Sequence, residues 1–253
     1  MLFEFRGPAG RLEALLDEPA AGRTLDDHGA VHAGAPNGPR AAVVFGHPHP
    51  LYGGTMHTKA AYHAAKGLTR IGCAVLRFNF RGVGRSEGAF ADGIGERDDF
   101  RAALDFLHDR YPQAPLWAAG MSFGSWVGLT VGAADERVSA LIGVATPVDR
   151  YDFSQVGDSV KAKFFIHGER DEITSVHAIR RFYAQAAEPK ELVVVDTADH
   201  VFDGKTSDVA DAIEDLLVDW PELQDGGIAA LREGRPQGLK DGSSEGAKEG
   251  SRD

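Results

Sequence analysis

The stretch LWAAGMSFGSWVGLTVGAA, residues 116–134, decides the fold. Its first six residues are apolar without alternation, the pattern of a strand covered on both faces. Ser122 follows, and the small apolar residues from Phe123 to Ala134 suit a helix lying close against a sheet. A buried strand that turns directly into a helix at a serine, with a glycine two residues to either side, has the form of a nucleophile elbow. Such a serine takes up a strained backbone conformation with its hydroxyl raised above the sheet, and Gly120 and Gly124 omit the Cβ atoms that would collide there. The free N–H groups at the start of the helix point to where negative charge would develop.

The pattern G-x-S-x-G occurs twice more, at 84–88 and 242–246, and in a chain with 31 glycines a match by itself decides nothing. Context separates the three. Ser86 lies in GRSEG and is followed by the polar, glycine-broken run GAFADGIGE, so it reads as part of a flexible loop. Ser244 lies in a stretch with no packed scaffold to hold a catalytic geometry. For Ser122 the plain alternative is a tight turn without chemistry, and the choice rests on whether partners exist elsewhere.

Working outward, apolar runs of strand length fall at 41–47, 73–80, 138–146, 163–169 and 191–196, after an N-terminal hairpin built from LFEF and RLEALLDE. Helical periodicity falls between them near 58–70, 96–110, 175–186 and 205–219. This alternation predicts an α/β fold with a mostly parallel central sheet and helices on both faces. The connection from Pro147 to Val160 is too short for a multi-helix lid, so no large cap domain and an open pocket are expected. The domain is expected to span residues 1–220. Residues 221–253, rich in Gly and charge, read as a disordered tail, and the Gly-, Pro- and Ala-rich 20–40 segment reads as a surface loop.

Composition narrows the class of function. The formal charge of −11 opposes phosphate backbones and anionic lipid, which excludes a nucleic-acid or membrane-surface role and favours a small neutral or cationic ligand. No secretory leader pattern and no run of 18 apolar residues occurs, so a cytoplasmic location is expected. Cys73 is the one cysteine; inside CAVLRFNF it reads as a buried, inert thiol. A homodimer is compatible with all of this.

A serine hydroxyl needs a base to take its proton and a third group to fix the tautomer of that base. An elbow serine is followed along the chain by an acid and then a histidine. In HGERDEIT, Asp171 stands just beyond a strand, with Glu172 and then Glu169 as competitors; in DTADHVFDG, His200 stands between the last strand and the last helix. The plain readings are a surface carboxylate and a satisfied loop histidine. Asp196 and Asp199 are too near His200 along the chain to be preferred as its orienter. Of the two oxyanion donors required, one is expected from the Phe123 N–H. The other is sought in FGHPHPLYGG, where Pro48 and Pro50 lack an N–H and His49 is left by elimination. Leu51, Tyr52, Gly53 and Trp126 are expected to bind the substrate at the pocket mouth. His47, His49, His57 and His63 also invite a metal reading, but no ligand spacing supports it and the prolines shape a turn, so no metal is expected.

The runs HPHPLYGGTM, LRFNFRGVGRSEG, AGMSFGSWVG, HGERDE and ADHVFDG, in this order over roughly residues 1–220, resemble those of the small lidless bacterial α/β-hydrolases related to dienelactone hydrolases and short-chain esterases. The resemblance implies the α/β-hydrolase fold, a Ser122–Asp171–His200 triad, an acyl-enzyme intermediate and no cofactor. It casts RFNFRGVGRSEG as a structural loop beside the site. Dienelactone hydrolases proper use a cysteine nucleophile, so their substrate does not carry over to a chain with Ser122. The expected function is hydrolysis of a small ester or related acyl compound. Its rivals are a non-catalytic binding protein on the same scaffold and a metal-dependent hydrolase built on the His47, His49 and His57 region.

Overall fold

The apolar runs assemble into one eight-stranded sheet. A computed structural model describes residues 2–19, 24–25, 31–32 and 38–220 of the chain. In chain order the elements are β1 (Leu2–Gly7), β2 (Gly10–Asp17), the short β3 (Thr24–Leu25) and β4 (Val31–His32), β5 (Ala42–Gly46), α1 (Lys59–Arg70), β6 (Ala74–Phe78), α2 (Ile94–Arg110), β7 (Leu116–Met121), α3 (Phe123–Ala134), β8 (Val138–Val144), α4 (Ser154–Asp158), β9 (Ala162–Gly168), α5 (Val176–Gln185), β10 (Lys190–Val195) and α6 (Thr206–Leu217).

The sheet order is β1-β2-β6-β5-β7-β8-β9-β10, antiparallel through the hairpin and its junction with β6 and parallel from β6 onward. The parallel strands send alternate side chains to opposite apolar layers. In β5, Val43 and Phe45 join the core beneath α1 and α6, while Ala42 and Val44 join the core shared with α2 and α3. That two-sided burial is why these strands read as unbroken apolar runs. Because β5, β6, β7, β9 and β10 are parallel, the loops that follow them leave from the same edge of the sheet, and it is on this edge that ligands of open α/β folds bind.

Three details differ from the sequence reading. Within the 20–40 segment, residues 24–25 and 31–32 pair as a short antiparallel ladder. The 147–160 connection contains the five-residue helix α4, which keeps it short of a lid. Ser86 is buried, not part of a flexible loop: its hydroxyl donates to the Asn79 carbonyl at 2.6 Å and accepts the Glu13 N–H at 3.0 Å. A run of turn residues does not reveal that its one small hydroxyl fills a gap between β2 and β6. Ser244 and the expected tail lie outside the described residues. Among those residues no helix is long and apolar enough to cross a membrane, and Cys73 is buried.

Candidate active site

The elbow is built by three glycines. Gly46 and Gly120 are cross-strand partners at the ends of β5 and β7, and the first turn of α3 passes directly over them. A Cβ at Gly120 would lie 2.3 Å from the Gly124 carbonyl oxygen, and one at Gly124 would lie 2.2 Å from that of Gly46. Gly120 and Gly124 were legible from the motif; Gly46, 78 residues upstream of the turn's last glycine, was not, since it carries no mark beyond ending an apolar run. Ser122 itself has φ +51° and ψ −123°, a conformation that L-residues rarely adopt. Its N–H donates to the Val144 carbonyl at 2.9 Å, and its own carbonyl accepts the Ser125 hydroxyl at 2.6 Å. The strained residue is therefore held from both sides.

Three side chains from distant parts of the chain meet at this turn. His200 Nε2 lies 2.9 Å from Ser122 Oγ, and His200 Nδ1 lies 2.8 Å from Asp171 Oδ2. Asp171 is buried, and its second oxygen accepts the N–H groups of Ile173 and Thr174, each at 2.8 Å. Burial alone would push this carboxyl up, but the His200 hydrogen bond, the Thr174 N–H and the nearby imidazoles outweigh it and hold the group below the ordinary carboxylate range. With the carboxylate charged, His200 carries its proton on Nδ1 and turns Nε2 toward the serine.

The competing carboxylates have other tasks. Glu169 accepts the Thr197 N–H at 2.8 Å and Glu172 accepts the His200 N–H at 3.3 Å, so both lace the acid-bearing loop to the base-bearing loop. Arg170 N–H adds a bond to the Ala198 carbonyl at 2.8 Å. Asp199 accepts the N–H groups of Val201 and Asp203 and shapes the turn after His200. Thr197 and Phe202, with φ +59° and +57°, bracket this turn in left-handed conformations, a second place where backbone strain gathers at the site.

The loop after β5 supplies the remaining expected residues. Among the described residues neither the His49 nor the Phe123 N–H has a protein acceptor. The His49 ring packs against Phe123, Tyr52 and Phe90, with centroids 4.8, 4.8 and 5.1 Å away. Its Nδ1 accepts the Leu51 N–H at 3.2 Å, and burial lowers its pKa against the pull of Glu96 and Asp92. Leu51 and Tyr52 form a single 3-10 turn closed by Gly53 at φ +79°, and both side chains face solvent. Trp126 is set further back: it stacks on Tyr151 at 4.2 Å, beneath the Arg97 guanidinium, and touches Phe123 at 5.8 Å.

Two histidines matter in ways the sequence reading missed. His47 is fully buried; its Nδ1–H donates to the Pro48 carbonyl at 2.6 Å and its Nε2 accepts the Phe80 N–H at 3.1 Å. Desolvation pushes its pKa down to about 4, against the Pro48 bond that would raise it. Both ring nitrogens are thus spent on pinning the β5 loop to the end of β6. His57 is exposed, and among the described residues no three His, Cys, Asp or Glu side chains converge as a metal would require. His167, inside the apolar run of β9, donates from Nε2 to the Thr174 carbonyl at 2.8 Å and so closes the loop that carries Asp171. A histidine directly after the apolar run Phe164–Ile166 of a buried strand was the signal for it.

Comparison with known proteins agrees with the fold. Residues 37–156 match the family model described as serine aminopeptidase, S33. The chain is 31% identical to an alpha-beta serine hydrolase homologue from Coxiella burnetii, covering 86% of this chain and 97% of that one with a TM-score of 0.76. It is 33% identical to an α/β serine hydrolase without lid from Xanthomonas campestris, covering 85% and 92% of the two chains with a TM-score of 0.74. A palmitoyl-protein thioesterase of Rattus norvegicus, ABHD10, is 35% identical over 103 residues, 40% of this chain and 33% of the relative. These likenesses lead to lidless serine hydrolases, not specifically to the dienelactone hydrolases. Likeness of this kind over 85% and 86% of the chain, on a sheet that carries no large cap among the described residues, makes the chain a member of the lidless α/β serine hydrolase family.

Proposed function

We propose that the protein hydrolyses a small ester or related acyl compound through an acyl-enzyme intermediate on Ser122. The observation that carries the reading is the continuous relay from Asp171 Oδ2 through His200 to Ser122 Oγ, with gaps of 2.8 and 2.9 Å, on a serine at positive φ. Ser122 Oγ attacks the acyl carbon and its proton passes to His200 Nε2, while Asp171 stabilises the imidazolium through Nδ1. The carbonyl oxygen becomes an oxyanion, for which the unpaired N–H groups of Phe123 and His49 are the donors. Collapse expels the leaving group, which takes the proton from His200 Nε2. Water then repeats the sequence on the acyl-enzyme and frees the acid.

A fluorophosphonate probe tests the nucleophile. It is expected to label the protein and to spare Ser122→Ala; equal labelling of both refutes the assignment. Turnover of p-nitrophenyl acetate separates the enzyme from a binding protein that merely keeps the fold, and resistance of that turnover to EDTA separates it from a metal-dependent hydrolase.

A thioester substrate is the second reading, favoured by the local likeness to a palmitoyl-protein thioesterase. The same residues act in the same order, with a thiolate as leaving group. Comparing an oxygen ester and a thioester of one acyl group distinguishes the two: a kcat/KM advantage for the thioester beyond the difference in their uncatalysed hydrolysis supports it.

A further inference from the structure

Among the described residues eight large apolar side chains stay exposed, and apart from Leu2, Tyr62 and Val160 they share one setting. Five of them stand on loops or helix starts that follow parallel strands: Leu51 (67% exposed) and Tyr52 (87%) after β5, Ile94 (74%) after β6, Ile173 (39%) after β9 and Val201 (52%) after β10. All five therefore belong to the edge of the sheet that carries the triad. Tyr52 is joined to the nucleophile by a chain of ring contacts, Tyr52 to His49 and His49 to Phe123, each at 4.8 Å. Val201 adjoins His200, and the Ile173 N–H binds Asp171 at 2.8 Å. Ile94 begins the helix whose preceding glycine presses on Trp126.

Scattered exposed apolar residues need no explanation, but a collar of five on the one edge of the sheet that carries Ser122 marks a surface that something apolar covers. With no large cap among the described residues to cover it, that partner arrives with the substrate. We infer that this collar receives the hydrocarbon chain of a long-chain acyl substrate, laid outward from Ser122 across the open rim. The inference rests on the serine-hydrolase reading above and extends it to a substrate class. Acetyl or propionyl groups end at the serine and leave the collar bare. Four of the five residues, Leu51, Ile94, Ile173 and Val201, are aliphatic, which suits a flexible chain better than a rigid aryl group requiring a stacked partner. A net charge of −11 disfavours an anionic membrane as the occupant.

The test is a series of p-nitrophenyl esters from C2 to C8, each held below the concentration at which it aggregates, together with p-nitrophenyl benzoate. Each methylene that leaves water on the collar should raise kcat/KM about two- to fourfold, so that C8 exceeds C2 by a factor on the order of a hundred. Ile94→Ser and Val201→Ser should each lower the C8/C2 ratio, while Val160→Ser, exposed ahead of β9 at the opposite edge, should leave it unchanged. The ratio is taken within one preparation, so a variant that folds poorly still gives a valid answer. A C8/C2 ratio under tenfold in the parent protein overturns the inference, as does benzoate outrunning C8. So does a flat series whose collar variants have a smaller mass in solution, since the face then belongs to a second copy of the chain. In each of these cases continued acetate turnover and Ser122 labelling leave the hydrolase reading standing; loss of both would remove it.

Discussion

Replacing Asp171 by Asn changes one atom and should remove nearly all activity without unfolding the protein. The structure dictates which way the amide must turn. Oδ1 accepts two backbone N–H groups, from Ile173 and Thr174, whereas Oδ2 accepts the Nδ1–H of His200 at 2.8 Å and has His167 Nε2, whose proton goes to the Thr174 carbonyl, at 3.5 Å. An amide nitrogen placed at the first position would confront two donors, each buried and left without an acceptor at about 1–3 kcal/mol. The oxygen therefore stays with the backbone, and the NH2 group faces His200. A donor there makes Nδ1 the acceptor, which shifts the imidazole proton to Nε2 and points it at Ser122. In that tautomer His200 cannot take the hydroxyl proton. The corresponding change in a serine protease, described for an unrelated fold, costs about 10⁴ in kcat; a loss on that order, about 5.5 kcal/mol in the barrier, is expected here. Steady-state turnover of p-nitrophenyl acetate and the rate of fluorophosphonate labelling both measure it, with circular dichroism and a urea midpoint as controls for folding. Asp171→Ala should differ in kind, since it strips the acceptor from both N–H groups and lowers the urea midpoint as well as the rate. An Asn variant within tenfold of the parent refutes the orientation argument and hands the orienting task to another group.

Gly124→Ala drives a methyl into the Gly46 carbonyl, a backbone group that cannot swing aside as a side chain would, and should cost about 1–3 kcal/mol in denaturant unfolding together with most of the labelling rate; full stability would show that the elbow can open. Ser86→Ala leaves the buried Asn79 carbonyl and Glu13 N–H short of a partner. It should lower stability by about 1–3 kcal/mol while fluorophosphonate labelling proceeds at the parent rate, and a labelling defect would reopen the question of which serine reacts. His47, with a folded pKa near 4 against 6.5 when unfolded, stays neutral where the unfolded chain takes up a proton. Its contribution is thus whole above pH 6.5 and falls as pH drops toward 4, by about 2 kcal/mol at pH 5. His47→Gln should lose less stability than the parent between pH 7.5 and pH 5, and a parent-to-variant gap that is constant across that range contradicts the assignment.

What the sequence discloses and what it conceals follow from the range of the forces involved. β7 and α3 fall within 116–121 and 123–134 as read, because strand, turn and helix are specified there by neighbours along the chain: an apolar run, a small-residue turn, then small apolar residues. The positions of Ser122, Asp171 and His200, which the structure brings within hydrogen-bond distance, were legible for a related reason. Each follows a parallel strand, and the topology of such a sheet delivers every strand end to one edge, so the loops that hold Asp171 and His200 could be named before any distance was known. Which atom meets which could not. The letters of HGERDE do not say which of three carboxylates meets the histidine; two N–H groups of Ile173 and Thr174 seize one oxygen of Asp171 and turn the other to His200, while Glu169 and Glu172 are taken by the N–H groups of Thr197 and His200 from another loop. His47 shows the same blindness from the other side. Beside His49 it could be taken for half of a metal site, and what decides against that is the Phe80 N–H, 33 residues away, occupying its second nitrogen. Local pattern places backbones, and the hydrogen-bonding state of a side chain is set by whichever distant donor arrives. The residues whose roles were misread or missed, Gly46, His47, Ser86 and His167, are accordingly those whose function is a contact with another segment.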